Sequence, residues 1–414
     1  MRDCSSVTLG EFGTTFGGLT GKAKPDFGHG DAKYLTFVEV MTNARIRGSA
    51  LQHVNTKTGE KQNELKRGDV LFNGSSETPE EVALGSYIDF DPGPRVHLNS
   101  FCFGYRINKT KSIDPRYLAY FFRSELGRNA VSSLAQGATR YNISKTKLMS
   151  IPLPLASYSK QKIVADILND CDDLIEGLQG LIAKKRDVKQ GMMQELLTGR
   201  TRLPGFADEW RVLPIAEASH LKARIGWQGL TTGEYLRSGD YRLVGGADFN
   251  NGYVDWGLTA FVDKWRFDQD KGIQIREGDV LITKDGTIGK VAIVESIPGP
   301  STLNSGVFVL RPRRNSYVSK FIYWILRSRI FEDFVAGLSA GSTISHLYQR
   351  DFTKLSLIVP SDLKEQAAIS EILTDADTEI RTLECRLTSA RAVKVGMMQE
   401  LLTGRTRLPI EEES

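Results

Sequence analysis

Three features of this 414-residue chain predict an α+β fold: a 14-residue segment present twice, a long helical periodicity ahead of each copy, and short β-branched runs ahead of each helix. The segment GMMQELLTGRTRLP occupies Gly191 to Pro204 and again Gly396 to Pro409, unchanged across an offset of 205 positions. Identity of that length marks an internal duplication. The architecture expected is two domains of mixed α/β structure separated by two long antiparallel coiled-coil-like helices, forming a pseudo-two-fold internal repeat. Its segments are a first domain at 1–155, a helical spacer at 156–204, a second domain at 205–360, a second spacer at 361–409 and an acidic tail at 410–414.

The domains match through short framework pieces. GDVLF at Gly68 faces GDVLI at Gly278, LNS at Leu98 faces LNS at Leu303, and YLAYFFRS at Tyr117 faces FIYWILRS at Phe321. The runs VLF, VLI, VAIV and VFVL read as strands, and the aromatic-rich pieces as one helix per half. Between these pieces the halves diverge in sequence and loop length, and divergent surface loops are where recognition resides.

The spacers carry a stripe of apolar side chains. Val164, Leu168, Cys171, Ile175, Leu178 and Ile182 correspond to Ile369, Leu373, Ala376, Ile380, Leu383 and Leu387. Their spacing alternates four and three, the seam of a coiled coil, and predicts helices from about Ser159 to Leu197 and from about Leu363 to Leu402. One such stripe is an ordinary core-facing helix. Two matching copies can partner each other, and a two-fold axis at right angles to them makes the pair antiparallel. About 39 residues span roughly 58 Å.

Composition excludes several classes. Hydrophobic residues make up 40% and charged residues 25%, as in soluble globular proteins. No apolar run approaches the roughly 20 residues of a membrane helix, and MRDCSSVTLGEF lacks a secretory pattern, so a cytoplasmic location without membrane association is expected. Cys4, Cys102, Cys171 and Cys385, like the five histidines, lack ligand spacing, which argues against a metal site. The net charge of +4 includes a surplus of +5 in residues 1–155 and −4 in 361–414. That permits nucleic-acid binding without demanding it.

Catalytic signatures are missing. The runs GLTGKA and TIGKVA lack the first Gly and the closing Ser or Thr of a phosphate loop, and no G-x-G-x-x-G after a strand, H-E-x-x-H or G-x-S-x-G occurs. No Asn-Pro pair exists to begin an amino-methyltransferase signature. Asp26, Asp31 and Lys33 resemble in outline a metal-dependent nuclease pattern, but a solvated loop is the plainer reading.

Two variable domains, each followed by a long helix ending in GMMQELLTGRTRLP, resemble the specificity subunit of type I restriction-modification systems. The resemblance runs from about Val7 to Pro409 and is most specific in the paired tails. It implies a non-catalytic subunit whose two target-recognition domains each read half of an interrupted, asymmetric site on double-stranded DNA, with the helices as the ruler of the gap. It also implies two methyltransferase subunits that use S-adenosylmethionine to methylate adenine, and restriction subunits that use ATP and magnesium. This chain itself is expected to hold no cofactor.

Candidate DNA-contacting residues lie in three loops of each half. The first, after an expected initial helix, holds Thr20, Gly21 and Lys22, or Trp227, Gln228 and Thr231. The second, after the GDVL strand, holds Asn73 and Ser75, or Lys284, Asp285 and Thr287. The third, before the final strand, holds Gln136, Thr139, Arg140, Tyr141 and Asn142, or Ser342, Thr343, Ser345 and His346. Arg, Lys, Asn and Gln have the forked or donor-rich ends that read guanine and adenine edges; a solvated turn is the competing reading for each. Gly286 and Gly289 add backbone freedom beside Lys284 and Thr287. Helix-packing or partner-facing positions are Leu168, Ile175, Leu178, Met193, Leu197, Leu373, Ile380, Leu383, Met398 and Leu402; the tails are expected to pack symmetrically against the neighbouring recognition domain, and Met193 and Leu197 also to offer an adaptable apolar surface to a partner. Two other readings remain: a protein-binding scaffold using the paired helices, and a stand-alone nuclease using Asp26, Asp31 and Lys33.

Overall fold

The computed structural model describes residues 6–57, 59–108, 112–137, 139–225, 229–338 and 346–406. Packing divides the chain into two units: residues 1–179 with 385–414, and residues 180–384. Each unit therefore holds one mixed domain and one half of each long helix.

In the first unit a five-stranded sheet runs in the order Gly13–Gly17, Cys102–Ile107, Val70–Asn73, Gly85–Ile88, Arg45–Ile46. The VLFN strand is central and buried on both faces, so its alternating side chains feed two cores. Val70 and Phe72 enter a cluster with Tyr117, Tyr120 and Phe122 of the aromatic helix Pro115–Arg123, while Leu71 enters a cluster with Leu35, Val96 and Leu98. The latter three belong to a three-stranded sheet, Leu51–Val54, Phe27–Leu35, Val96–Leu98, whose last pair is parallel.

The second unit repeats this arrangement. Its sheet runs Ser219–Ala223, Val307–Pro312, Val280–Thr283, Val291–Ile293, Tyr253–Val254, Phe249–Asn250. Val280 and Ile282 face the aromatic helix Ser319–Leu326, and Leu281 faces a cluster with Val244 and Leu303. The Asp of each GDVL piece is buried and paired with an arginine of the neighbouring strand: Asp69 with Arg106 and Asp279 with Arg311, both at 2.6 Å.

The long helices span Tyr158–Leu196 and Leu363–Leu402, within one residue of the sequence expectation. In the first unit Cys171 Sγ lies 3.6 Å from Met397 Sδ, and Asp172 pairs with Lys394. In the second, Asp377 pairs with Lys189 at 2.6 Å and Glu379 with Lys185 at 2.8 Å. Within each unit the helix halves are thus antiparallel. Asp172 and Asp377 are 205 positions apart, as are Lys189 and Lys394, so each unit makes the same ion pair with the helices in exchanged roles.

The stripe does two jobs. Val164 and Leu168 enter the first domain's core, and Ile369 and Leu373 the second's. Leu178, Ile182, Ile380 and Leu383 are buried further along the helices, and Ile175 is half-buried. The repeated tails follow the same logic. Met193, Leu196 and Leu197 lie in the core of the second domain, whereas Leu402, with Met398 and Leu401 against it, packs into the core of the first. Met193 and Leu197 are 4% and 1% exposed. The expected packing of the tails against a recognition domain is what the structure shows, whereas the expectation that Met193 and Leu197 also face a partner subunit is corrected, since both are buried in that core.

One polar contact ties each helix start to its domain. Gln161 Oε1 accepts from Asp114 N, and Gln366 Oε1 accepts from Val318 N, satisfying an amide at the start of each aromatic helix. Tyr120 donates to Asn169 and Trp324 Nε1 to Thr374, again at matching positions.

Candidate nucleic-acid interface

Each domain gathers its divergent loops at one end of the central sheet. In the first, the GDVL strand ends at Asn73, and Gly74 N donates to Phe101 O at 2.8 Å in the turn after LNS. Ser75–Ser76 pairs antiparallel with Tyr141–Asn142, and Ile143 N donates to Gly74 O. The loop bearing Thr20 leaves strand Gly13–Gly17 at this same end, where Gly18 N donates to Cys102 O. That loop was expected after a helix; it follows a strand because Gly13–Gly17 extends the sheet along Cys102–Ile107.

The second domain builds the same crossing with other residues. Lys284 N donates to Gly306 O at 2.9 Å, Leu347 N donates to Lys284 O at 2.8 Å, and Asp285 bridges to His346. Gly74 is therefore equivalent to Lys284, Phe101 to Gly306, and Asn142 to His346.

Several candidates prove to be supports. Asn73 is fully buried, with Nδ2 donating to the carbonyls of Ser75 and Glu81 and Oδ1 accepting from Leu84 N at 2.7 Å. It shapes the loop and is removed from the list of base readers, because no donor remains for a base. Lys22 is corrected likewise: its side chain is 6% exposed and its ammonium lies 2.6 Å from Glu60, whose carboxyl is held down at about 2 chiefly by that hydrogen bond. Thr20 is exposed, but its amide and carbonyl are engaged by Gln62.

Other candidates project outward. Arg140 is exposed at the tip of a hairpin closed by two backbone hydrogen bonds between Gln136 and Asn142. Gly137 makes that hairpin possible: its φ is +137° and a Cβ there would lie 2.0 Å from Arg140 O. Asn142 is exposed with its amide on Arg140 O, and Tyr141 is half-buried against the core. In the second domain Asp285 Oδ1 lies 2.6 Å from His346 Nδ1, and Oδ2 lies 3.5 Å from Lys284 Nζ. The aspartate holds both basic groups beside one another. Thr287 is exposed, its carbonyl accepting from the buried Thr283 hydroxyl. Trp227, Gln228, Thr343, Ser342 and Ser345 lie outside the described residues.

Sequence reasoning passed over Phe101, which is 60% exposed beside Arg140. The available signal was the repeated LNS turn followed by unlike residues, Phe101 in one half and Gly306 in the other. Asp26 of the nuclease-like pattern caps its own turn, accepting from Ala23 N at 2.8 Å. Among the described residues no helix is long and apolar enough to cross a membrane.

Comparison with known proteins points one way. A family profile described as "Type I restriction modification DNA specificity domain" matches residues 1–184 and 210–389. The chain is 24% identical over 393 residues to a Methanocaldococcus jannaschii protein named as the type I restriction enzyme MjaX specificity subunit, covering 90% of this chain and 87% of that one. It is 22% identical over 320 residues to the MjaVIII specificity subunit of the same organism, covering 72% of each. A crystal structure of the S subunit of a type I restriction-modification system from M. genitalium shares the fold, with a TM-score of 0.63 at 16% identity over 96% of this chain and 95% of that one.

Proposed function

This chain belongs to the type I restriction-modification DNA specificity family, and from that membership we propose that it supplies DNA sequence specificity to such a complex, each domain reading one half of a two-part asymmetric site. The observation that carries this reading is the pair of equivalent loop crossings, built on one framework and furnished differently: Phe101, Arg140 and Asn142 in one domain, Gly306, Asp285 and His346 in the other. Two half-sites of different sequence require this, since the framework sets where a base edge meets the protein and the loop side chains decide which base is accepted.

Chemistry falls to partners on this reading. Methyltransferase subunits, two by the duplication, would methylate adenine with S-adenosylmethionine, and restriction subunits would cleave with ATP and magnesium. This chain would contribute binding and orientation alone, in the cytoplasm where the DNA lies. The test is single-molecule sequencing of genomic DNA from a host expressing this chain with its neighbouring methyltransferase gene, against the same host lacking this chain. A two-part adenine-methylated motif that disappears with the chain is the expected result. An unchanged pattern with an active methyltransferase would return the reading to a protein-binding scaffold.

A further inference from the structure

Phe101 and Arg140 sit together on the first domain's crossing, and neither is explained by the fold. Phe101 is 60% exposed, yet its position is fixed: its amide donates to Asn99 Oδ1 at 2.9 Å and its carbonyl accepts from Gly74 N at 2.8 Å. A single exposed apolar residue is common on any surface. This one lies on the loop crossing with a cation near it, the Arg140 guanidinium carbon lying 5.9 Å from the ring centroid. Among the described residues no carboxylate pairs with Arg140. The equivalent of Phe101 in the second domain is Gly306, where a Cβ would lie 3.8 Å from the Asp285 carboxylate. One domain thus presents an apolar ring with a guanidinium near it where the other presents a carboxylate bridging Lys284 and His346.

Resting on the specificity reading above, we propose that Phe101 and Arg140 act as one base-reading unit. The guanidinium donates to O6 and N7 of a guanine, and the ring packs on the C5-methyl of a neighbouring thymine. An arginine fork matches the two guanine acceptors, and the thymine methyl is the apolar feature of the major groove. The ring also holds the guanidinium in place, so less rotamer freedom is lost when DNA binds. The half-site read by this domain accordingly contains a G·C pair adjacent to an A·T pair, with guanine and thymine edges within one reach.

The experiment is motif determination by single-molecule methylation sequencing with the full chain and its methyltransferase partner, comparing wild type, Phe101→Ala, Arg140→Ala and Arg140→Lys. Arg140→Ala and Arg140→Lys are expected to relax one G·C position by about 10- to 100-fold in relative methylation, because lysine keeps the charge but not the fork. Phe101→Ala is expected to relax the adjacent A·T position by roughly three- to tenfold, and all variants must leave the other half-site unchanged. Three results would overturn the proposal: a wild-type motif without that adjacent pair, full retention of guanine preference by Arg140→Lys, or a uniform fall in methylation at every site with Phe101→Ala. The last would assign the ring to contact with a partner subunit. A wild-type chain that directs no motif would instead overturn the specificity reading itself.

Discussion

Asn73 and Thr283 occupy the same position at the end of equivalent strands, and each uses its side chain to hold the backbone of the loop that follows. Thr283 accepts from Lys290 N and donates to Thr287 O, closing a short turn. Asn73 has a longer loop to close and spreads three hydrogen bonds over Ser75, Glu81 and Leu84. Replacing Asn73 with Ala removes three hydrogen bonds from a loop whose anchoring side chain is fully buried, and each buried polar group left without a partner costs about 1–3 kcal/mol. Asn73→Ala is expected to lower the stability of the first domain by about 2–4 kcal/mol, read as a shift in the urea midpoint of a signal local to that domain; an unshifted midpoint would return Asn73 to the pool of surface residues. The same pair shows how far the candidate site could be read from sequence. The second and third loops of the first half were legible because they interrupt a repeated framework, whereas the first follows a strand where a helix was expected. The role of each side chain was not, since the partners of Lys22 and Asn73 are set by tertiary contacts with Glu60, 38 residues away, and Leu84, 11 residues away. Arg140 projects outward from a tight turn that Gly137 permits.

At the scale of elements, the aromatic helix of the first domain is seated on its sheet through Gly85. A Cβ at Gly85 would lie 2.8 Å from Ala119 O and 2.9 Å from Ala119 Cα, so the helix backbone rests directly on the strand. Arg123 locks the same seat from the other end: half-buried, with desolvation drawing its guanidinium down to about 10, it donates to the carbonyls of Gly85, Met41, Val40 and Asn43. Gly85→Ala must lift the helix. The strain of overpacking, about 1–3 kcal/mol, exceeds the roughly 0.4–1 kcal/mol gained by restricting the unfolded chain, so a net loss of stability is expected in chemical denaturation; a neutral or stabilised variant would show that the helix rides higher than described. The second domain has Val291 in the corresponding place, paired with Ile282 as Gly85 is with Phe72, so this contact has no signature shared between the halves. Elements with strong periodicity were legible: the long helices fell within a residue of their expected ends, and the central strands carried unbroken apolar runs. The three-stranded sheets were not, because Phe27–Leu35 alternates irregularly and its parallel neighbour Val96–Leu98 lies more than 60 residues on.

For the whole molecule, the repeated GMMQELLTGRTRLP finds its reason in two cores that need the same plug. The second domain's core takes Met193, Leu196 and Leu197 from the tail that precedes it, and the first domain's core takes Leu402 from the tail some 250 residues beyond its own last strand. Each unit therefore assembles from segments that are distant in the chain, and Leu197 and Leu402, at matching positions of the repeat, each fill a buried site in the core of their own unit. The consequence is a crossed dependence that sequence order would not suggest. Leu402→Ala is expected to destabilise the first domain, and Leu197→Ala the second, each by about 2–4 kcal/mol, the usual cost of emptying a buried leucine site. Hydrogen exchange read by mass spectrometry on the full chain separates the two. Leu402→Ala should hasten exchange in Val70–Asn73 and Cys102–Ile107 while leaving Val280–Thr283 and Val307–Pro312 protected, and Leu197→Ala should do the reverse. If both substitutions loosened only the helices that carry them, the tails would be surface elements, and their identity would have to be sought in a partner that both of them meet.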